Sequence, residues 1–145
     1  MFKHILVPTD GSPLSATAVD KAMTLARDVK AKVTVMTAIE PFHVLTTNQT
    51  SLSDTKETYA KHAKAEAERV LAEAQKKAKE LGVTCSVAQV EADQPYKAII
   101  EAAEKNGCDL IAMASHGRRG VAALVIGSET TKVLTHSAIP VLVYR

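Results

Sequence analysis

The sequence has few cysteines, and none of them forms a recognisable motif. Only Cys85 and Cys108 occur in 145 residues, and their spacing is not that of a CxxC pair. The chain therefore has no disulfide framework, and we predict that both thiols are reduced and lie in the core. The histidines also lack metal-ligand spacing with a cysteine or an acid, which argues against a metal-dependent hydrolase; these histidines are His4, His43, His62 and His136.

Long apolar runs and a strong charge of one sign are also missing. No run approaches the roughly 18 residues of a membrane span, and the start MFKHILVPTD has no apolar core with a small-residue cleavage site. We therefore expect a cytoplasmic protein without a membrane partner. The 18 basic residues nearly balance the 16 acidic ones, which argues against nucleic acid as the main partner. The length and the 46% of hydrophobic residues predict one globular domain over residues 1–145.

Two familiar phosphate-binding motifs, GxxxxGK[ST] and GxGxxG, are absent at the places where they would be expected. A different stretch, DLIAMASHGRRGVAALVIGS at residues 109–128, has a comparable arrangement. The apolar run Leu110 to Ala114 predicts a buried strand, and Gly117 and Gly127 border the polar loop that follows. A helix starting at Ser128, with that residue as its cap, would present free N–H groups and a positive dipole end. This stretch therefore predicts a phosphate site.

The prediction of a phosphate site depends less on the other residues of this loop. Arg118 and Arg119 could screen phosphate charge, although arginines at a loop tip are usually solvated. Gly120 falls within the spacer between the two bordering glycines. His116 is best interpreted as a loop residue that offers its backbone N–H, because no Ser or Cys elbow motif accompanies it.

Strand and helix patterns alternate along the whole chain. Strands are predicted at 3–8, 33–39, 83–91, 110–114 and 140–144. Helices are predicted at 13–29 and 55–81, from a start at 93–95 to a stop at 106–107, and at 128–137, with residues 42–54 as a mobile loop. This alternation predicts an α/β domain with a five-stranded parallel sheet and helices on both faces. Ligands of such sheets bind beyond the carboxyl ends of the strands, where the strand order reverses. We therefore expect Thr9 and Asp10, after the first strand, to face the loop after the fourth.

Asp10 is the acidic residue of this predicted cleft. Its carboxylate could accept hydrogen bonds from a ribose hydroxyl or a base amine, or it could hold a metal. It could also cap the turn at Gly11 and Ser12. The sequence offers no convincing general base, so we expect weak ATP hydrolysis at most, and we leave open whether the protein is an enzyme.

The sequence resembles the universal stress protein family over essentially its whole length. The resemblance is carried by ILVPTDGS at the start, the alanine-rich second helix, the Asp-Gln-Pro helix start, and SHGRRGVAALVIGSETTKVL followed by IPVLV. The nucleotide-binding branch of that family has the pattern G-x2-G-x9-G-[ST]. Gly117, Gly127 and Ser128 match it with the nine-residue spacer, and Ala114 replaces the first glycine. Because Ala114 lies at the end of a predicted strand, we expect its φ to be negative, and alanine tolerates such a conformation.

The resemblance implies a Rossmann-like fold of the adenine nucleotide alpha hydrolase type, with strand order 3-2-1-4-5. It implies a nucleotide-dependent sensor or regulator of the stress response that binds ATP, ADP or AMP, with Mg²⁺ as a candidate metal near Asp10. It also implies a homodimer that pairs through Val141, Leu142 and Val143. The nucleotide-binding residues that it implies are Pro8, Thr9, Asp10, Ala38, Met113, Ala114, His116, Gly117, Gly127, Ser128 and Glu129. The alternatives are a dimeric interaction module without nucleotide binding and a slow ATPase.

Overall fold

The sheet is assembled from strands that alternate with helices along the chain. The computed structural model describes residues 1–41, 49–117 and 125–145, with the backbone alone for residues 49–54. The described elements are β1 (His4–Pro8), α1 (Pro13–Val29), β2 (Lys32–Ile39), α2 (Gln49–Leu81), β3 (Cys85–Glu91), α3 (Pro95–Lys105), β4 (Leu110–Ala114), α4 (Ser128–His136) and β5 (Val141–Tyr144). The predicted element types and their order are confirmed.

All four strand pairings are parallel, and the strand order is β3-β2-β1-β4-β5. The predicted order is therefore confirmed. The chain reaches one edge of the sheet through β1, β2 and β3, then returns to the other side of β1 to form β4 and β5. This return makes the strand order reverse between β1 and β4.

Two hydrophobic cores lie on opposite faces of the sheet because strand side chains alternate between its faces. On one face α1 and α2 cover alternate residues such as Ile5, Val7 and Val33. On the other face α3 and α4 cover Leu6 and Ile111. Alanines of the helices, such as Ala22, Ala74 and Ala103, are buried in these cores, and their small side chains allow the helix backbones to approach the sheet closely.

The predicted boundary of α2 is wrong, because the helix begins at Gln49 rather than Thr55. The predicted mobile loop at 42–54 therefore ends earlier, and residues 42–48 lie outside the described residues. Residues 49–54 (QTSLSD) show no sustained apolar period that would predict a helix. Residues 55–62 are all exposed, and Ala67 is the first buried residue among the described side chains of α2.

α1, α2 and α3 end in the same type of turn at the amino-terminal edge of the sheet. In each, one residue has a positive φ, and two consecutive N–H groups bond back to the last carbonyls of the helix. α2 and α3 use glycine for this residue, Gly82 with φ 70° and Gly107 with φ 68°. α1 uses Lys30 with φ 59°, the only positive-φ residue other than glycine among the described residues.

His4 is buried at this same edge of the sheet. Its Nε2 lies 2.7 Å from the Thr34 hydroxyl. Burial, and secondarily the positive charge of Lys32, lower the pKa of the His4 imidazole from its ordinary 6.5. Beside it, burial acts to raise the pKa of Asp109, but the N–H groups of His4 and Lys3 donate to its carboxylate and bring that pKa below its ordinary value.

Both cysteines are free, as predicted. Cys108 is buried, and burial raises the pKa of its thiol to about 11. Cys85 is half-buried against the core that α1 and α2 cover, and burial also raises its thiol pKa.

The helices within the described ranges include none that combines the length and the hydropathy needed to cross a membrane.

Candidate functional site

The carboxyl ends of β1 and β4 form the candidate site, at the point where the strand order reverses. Thr9 and Asp10 follow β1 directly, and Ser115, His116 and Gly117 follow β4. The two strands are hydrogen-bonded neighbours in the sheet. Their ends therefore lie side by side, which is the position where parallel α/β sheets bind ligands.

Asp10 is held in place by the first turn of α1. Its Oδ1 accepts hydrogen bonds from the N–H of Ser12 and the hydroxyl of Ser15, both at 2.9 Å. Ser12 in turn caps α1 by accepting from the N–H of Ser15 at 3.3 Å. The turn between Asp10 and Ser12 passes through Gly11, which has φ 77°. The capping role considered for Asp10 is therefore confirmed, and the same bonds fix the direction of its carboxylate.

Thr9 joins this network from the buried side. Its N–H donates to the carbonyl of Met36 in β2 at 2.9 Å. Its hydroxyl lies 3.0 Å from that of Ser15 and accepts from the N–H of Gly11 at 3.2 Å. Ser15 therefore contacts both residues that follow β1, so the end of β1 is tied to α1 and to β2.

Gly117 lies against the carboxylate of Asp10 although 107 positions separate the two residues in the sequence. A Cβ at Gly117 would overlap Asp10 Oδ2 and would lie 3.2 Å from its Cγ. Gly117 does not have a positive φ, so its missing side chain is required by space and not by backbone conformation. This contact bears out the prediction that the end of β1 faces the loop after β4.

Gly127 is the second glycine that is enclosed by its neighbours. A Cβ there would lie 2.9 Å from Cβ of His116 and 3.3 Å from the carbonyl oxygen of Ser115. Its N–H donates to that carbonyl at 2.7 Å. The two ends of the loop are therefore joined, and α4 begins immediately beside the end of β4. Ser115 Oγ also lies 3.1 Å from His116 Nδ1.

Ala114 ends β4 in a backbone conformation that alanine adopts without strain. It is not among the residues with a positive φ, as expected from its strand position. It is buried, and its carbonyl accepts a hydrogen bond from the hydroxyl of Thr130 at 2.9 Å. Thr130 is buried in the first turn of α4. It fixes the start of that helix against the end of the strand.

The predicted cap of α4 is wrong by one residue. Gly127, with φ −61° and ψ 155°, is the N-cap, and Ser128 is the first helical residue. The helical ladder starts with Gly127 because its carbonyl accepts from the N–H of Thr131 at 2.9 Å. Ser128 is exposed. Its hydroxyl therefore does not cap the helix and is exposed at the helix N-terminus.

Glu129 has a structural contact that the sequence did not predict. Its Oε2 accepts from the N–H of Tyr96 at 2.9 Å, in the first turn of α3. Its Oε1 lies 3.3 Å from Nζ of Lys132. Gln94, the N-cap of α3, makes no side-chain capping bond. Glu129 therefore caps α3 from the neighbouring helix and links α3 to α4.

The remaining predicted site residues are apolar. Pro8 ends β1 opposite Met36 of β2. Ala38, near the carboxyl end of β2, packs against the core cluster that contains Met113 of β4. These residues place an apolar surface beside the polar groups of Thr9 and Asp10. No group of three or more potential metal-binding side chains occurs among residues 1–41, 55–117 and 125–145.

The structure thus brings together both halves of the site predicted from the sequence. Arg118, Arg119 and Gly120 lie outside the described residues. Sequence reasoning missed the supporting groups, Ser15, Ser115 and Thr130. A serine three positions after a capping serine was a usable signal for Ser15, whereas Thr130 and Ser115 were identified only from their contacts.

The fold defines a doubly wound α/β protein whose candidate site lies at the carboxyl ends of β1 and β4. The family model of the universal stress protein family matches residues 1–145. The chain is 31% identical over 149 residues to the universal stress protein YxiE of Bacillus subtilis, with 100% of both chains covered. The chain belongs to the universal stress protein family.

Solved structures are similar over nearly the whole chain. Protein MJ0577 of Methanocaldococcus jannaschii superposes with a TM-score of 0.79 and 26% identity, over 99% of this chain and 95% of that one. A universal stress protein in complex with cAMP superposes with a TM-score of 0.71 and 28% identity, over 99% of this chain and 97% of that one.

Proposed function

We propose that this protein binds an adenine nucleotide in the cleft between β1 and β4 and acts as a nucleotide-dependent sensor or regulator in the stress response. ATP is the nucleotide that we expect. The observation that carries this proposal is the contact between Asp10 and Gly117, which places a fixed carboxylate at the start of a glycine-bordered loop. The similar universal stress protein solved with cAMP supports an adenine ligand.

The phosphates would lie at the start of α4. The first N–H groups of a helix have no intrahelical acceptor and carry the positive end of the dipole. Gly127 adds no side chain there, and the exposed hydroxyl of Ser128 can donate to a phosphate oxygen. Because Thr130 anchors this turn to Ala114, the N–H groups are in place before a ligand arrives.

The nucleoside would lie over the ends of β1 and β2. The carboxylate of Asp10 is suited to accept from ribose hydroxyls, and its direction is already fixed by Ser12 and Ser15. Ala38 is only partly buried at this end of β2 and would lie beside the adenine ring. The proposed binding residues are Pro8, Thr9, Asp10, Ala38, Met113, Ala114, His116, Gly117, Gly127, Ser128 and Glu129.

A Mg²⁺ ion bound together with the nucleotide would suit this site. In nucleotide sites Mg²⁺ is usually coordinated by one or two carboxylates, by phosphate oxygens and by several retained waters. Asp10 supplies one carboxylate at the mouth of the cleft. The metal would neutralise phosphate charge there.

A homodimer in the cytoplasm is the setting that we propose. β5 is an edge strand, paired with β4 on one side, and its residues Val141, Leu142 and Val143 are half-buried. An apolar edge of this kind is suited to pairing with a second copy. The two free cysteines suit a reducing compartment. Light scattering at micromolar protein would detect the dimer, and a monomer mass would contradict it.

Titration calorimetry tests the nucleotide proposal. ATP, ADP, AMP and cAMP are titrated into the full chain with Mg²⁺ present. We expect Gly127→Ala to abolish detectable ATP binding, because its methyl group would meet His116 and displace the start of α4. Thr17→Ala, on the exposed side of α1, is the control that should bind normally. Absence of heat with millimolar nucleotide would refute the proposal.

A second candidate is a dimeric interaction module that binds no nucleotide. It is favoured by Ala114, which places a methyl group at the strand end where the family pattern has glycine, and by the engagement of Glu129 with α3. Denaturing the purified protein and analysing the supernatant by mass spectrometry separates the two candidates. A stoichiometric adenine nucleotide would exclude this second candidate.

A further inference from the structure

A basic cavity lies at the amino-terminal edge of the sheet, opposite the candidate nucleotide site. Its volume is about 390 Å³, within the range of roughly 300–1,000 Å³ that small-molecule sites occupy. It is lined by Lys3, Ala26, Arg27, Lys30, Ala31, Lys32, Gly82, Val83 and Thr84. The lining comes from the end of α1 and the turn into β2, from the turn between α2 and β3, and from the residue before β1.

The charge of this lining is of one sign. Four of its nine residues are basic and none is acidic. The rest of the chain has 14 basic residues against 16 acidic ones, so the positive charge of the protein is concentrated here. Arg27 pairs with Asp28 at 2.9 Å. The ammonium groups of the three lysines make no ion pair with another described residue.

The backbone carbonyls at the carboxyl ends of α1 and α2 repel an anion less strongly than the carbonyls of an uncapped helix would. The N–H groups of Lys30 and Ala31 bond to the last carbonyls of α1, with Ala31 N–H to Ala26 O at 2.8 Å. The N–H groups of Gly82 and Val83 do the same for α2. These carbonyls therefore already have donors. The hydroxyl of Thr84 adds a neutral donor to the lining.

Lys30 is the residue that points to a function for the cavity. The corresponding turns of α2 and α3 use Gly82 and Gly107 for the left-handed conformation. In α1 a lysine takes this conformation, which is unfavourable for a residue with a Cβ. Since glycine would make the same turn more easily, the chain gains the ammonium group of Lys30 at a cost in backbone energy.

We propose that this cavity is a second anion site and that it binds a small ligand with two or three linked phosphate groups. Such an anion matches several cations arranged around one cavity, whereas a single orthophosphate would engage only some of them. The ligand is distinct from a nucleotide held between β1 and β4, because the two sites lie at opposite edges of the sheet. The proposal does not depend on the proposed function.

Amide chemical shifts of the ¹⁵N-labelled full chain provide the test, with sodium tripolyphosphate as the probe at 0.15 M KCl and without nucleotide. We expect the largest shifts at residues 30–32 and 82–84. The variant Lys30→Gly/Lys32→Gln should bind at least about tenfold more weakly, since it loses two charge-assisted contacts. Lys61→Gln is the matched control, on the exposed part of α2 about 30 Å from its end.

Stability without the anion separates this role from ordinary helix capping. Lys30→Gly should leave the thermal midpoint unchanged or raise it, because glycine suits the turn. Tripolyphosphate should raise the midpoint of the wild type more than that of the variant. A lower midpoint for Lys30→Gly in the absence of anion would indicate that the lysine serves as a cap and would overturn the proposal.

Three other results would also overturn it. The first is a double variant that binds tripolyphosphate as tightly as the wild type. The second is a set of shifts confined to residues 115–117 and 127–129, which would assign the anion to the nucleotide cleft. The third is single-stranded DNA binding more tightly than tripolyphosphate through the same lysines, which would make the surface a nucleic-acid site.

Discussion

The contact between Gly117 and Asp10 leads to a quantitative prediction for Gly117→Ala. The added methyl group would displace the carboxylate of Asp10. That carboxylate accepts two hydrogen bonds at 2.9 Å, from Ser12 and Ser15. A hydrogen bond to a charged group contributes about 1.5–3 kcal/mol, and we expect the displacement to break one of them.

The net cost should be smaller than that bond. Alanine gains about 0.4–1 kcal/mol over glycine through the lower entropy of the unfolded chain, since the φ of Gly117 suits alanine. We therefore expect Gly117→Ala to lower the free energy of unfolding by about 1–2 kcal/mol. For a chain of this size that corresponds to a fall of roughly 2–8 °C in the thermal midpoint.

A double-mutant cycle with Asp10→Ala tests the mechanism. In the Asp10→Ala background the methyl group meets no carboxylate, so Gly117→Ala should be neutral or slightly stabilising. Gly107→Ala is the control: its Cβ would meet nothing within 4 Å, but its φ of 68° is strained for alanine. It should cost about 1 kcal/mol in either background. Equal costs of Gly117→Ala with and without Asp10 would refute the contact as the cause.

Three further predictions concern stability. His4→Gln should flatten the pH dependence of the free energy of unfolding below pH 6.5, because the lowered folded-state pKa means that the unfolded state binds more protons there and the wild type loses stability as the pH falls; denaturant unfolding at several pH values measures this, and identical pH profiles would contradict it. Thr130→Val should cost about 1–2 kcal/mol, because the buried carbonyl of Ala114 loses its donor; the check is the denaturant midpoint, and an unchanged value would show that this bond is dispensable. Glu129→Ala should cost about 1 kcal/mol and weaken hydrogen-exchange protection in the first turn of α3, where Tyr96 donates to it; unaltered protection would argue against capping between helices.

The predictions of element starts and strand positions succeeded where local chemistry was decisive. Ser12 and Pro13 predicted the start of α1 from capping preferences alone. The apolar runs of β1 and β4 predicted buried parallel strands, and the reversal rule for such sheets placed Asp10 opposite the loop after β4. These inferences depend on short-range patterns and on general rules of topology.

The predictions that failed depended on interactions without a local signal. Residues 49–54 (QTSLSD) are mostly polar and show no sustained apolar period, so hydrophobic periodicity did not predict a helix there. The cap of α4 lies at Gly127 because the N–H of that residue reaches Ser115, a contact that the residue types alone do not specify. The contact of Glu129 with the N–H of Tyr96 was not predicted, because it joins two helices and 33 positions separate these residues in the sequence.

By itself, the sequence determined the alternation of strands and helices and the resemblance to the universal stress protein family, because periodicity, capping residues and glycine spacing are local properties. The strand order followed only from that resemblance. Only the tertiary structure showed why Gly117 and Gly127 have no side chain: each lies against a group that is distant along the chain or across the loop. It also showed that Lys3 joins the three cations of residues 27–32 in the lining of one cavity. Contacts of this kind arise when packing brings distant segments together, and one-dimensional patterns do not encode the distances involved.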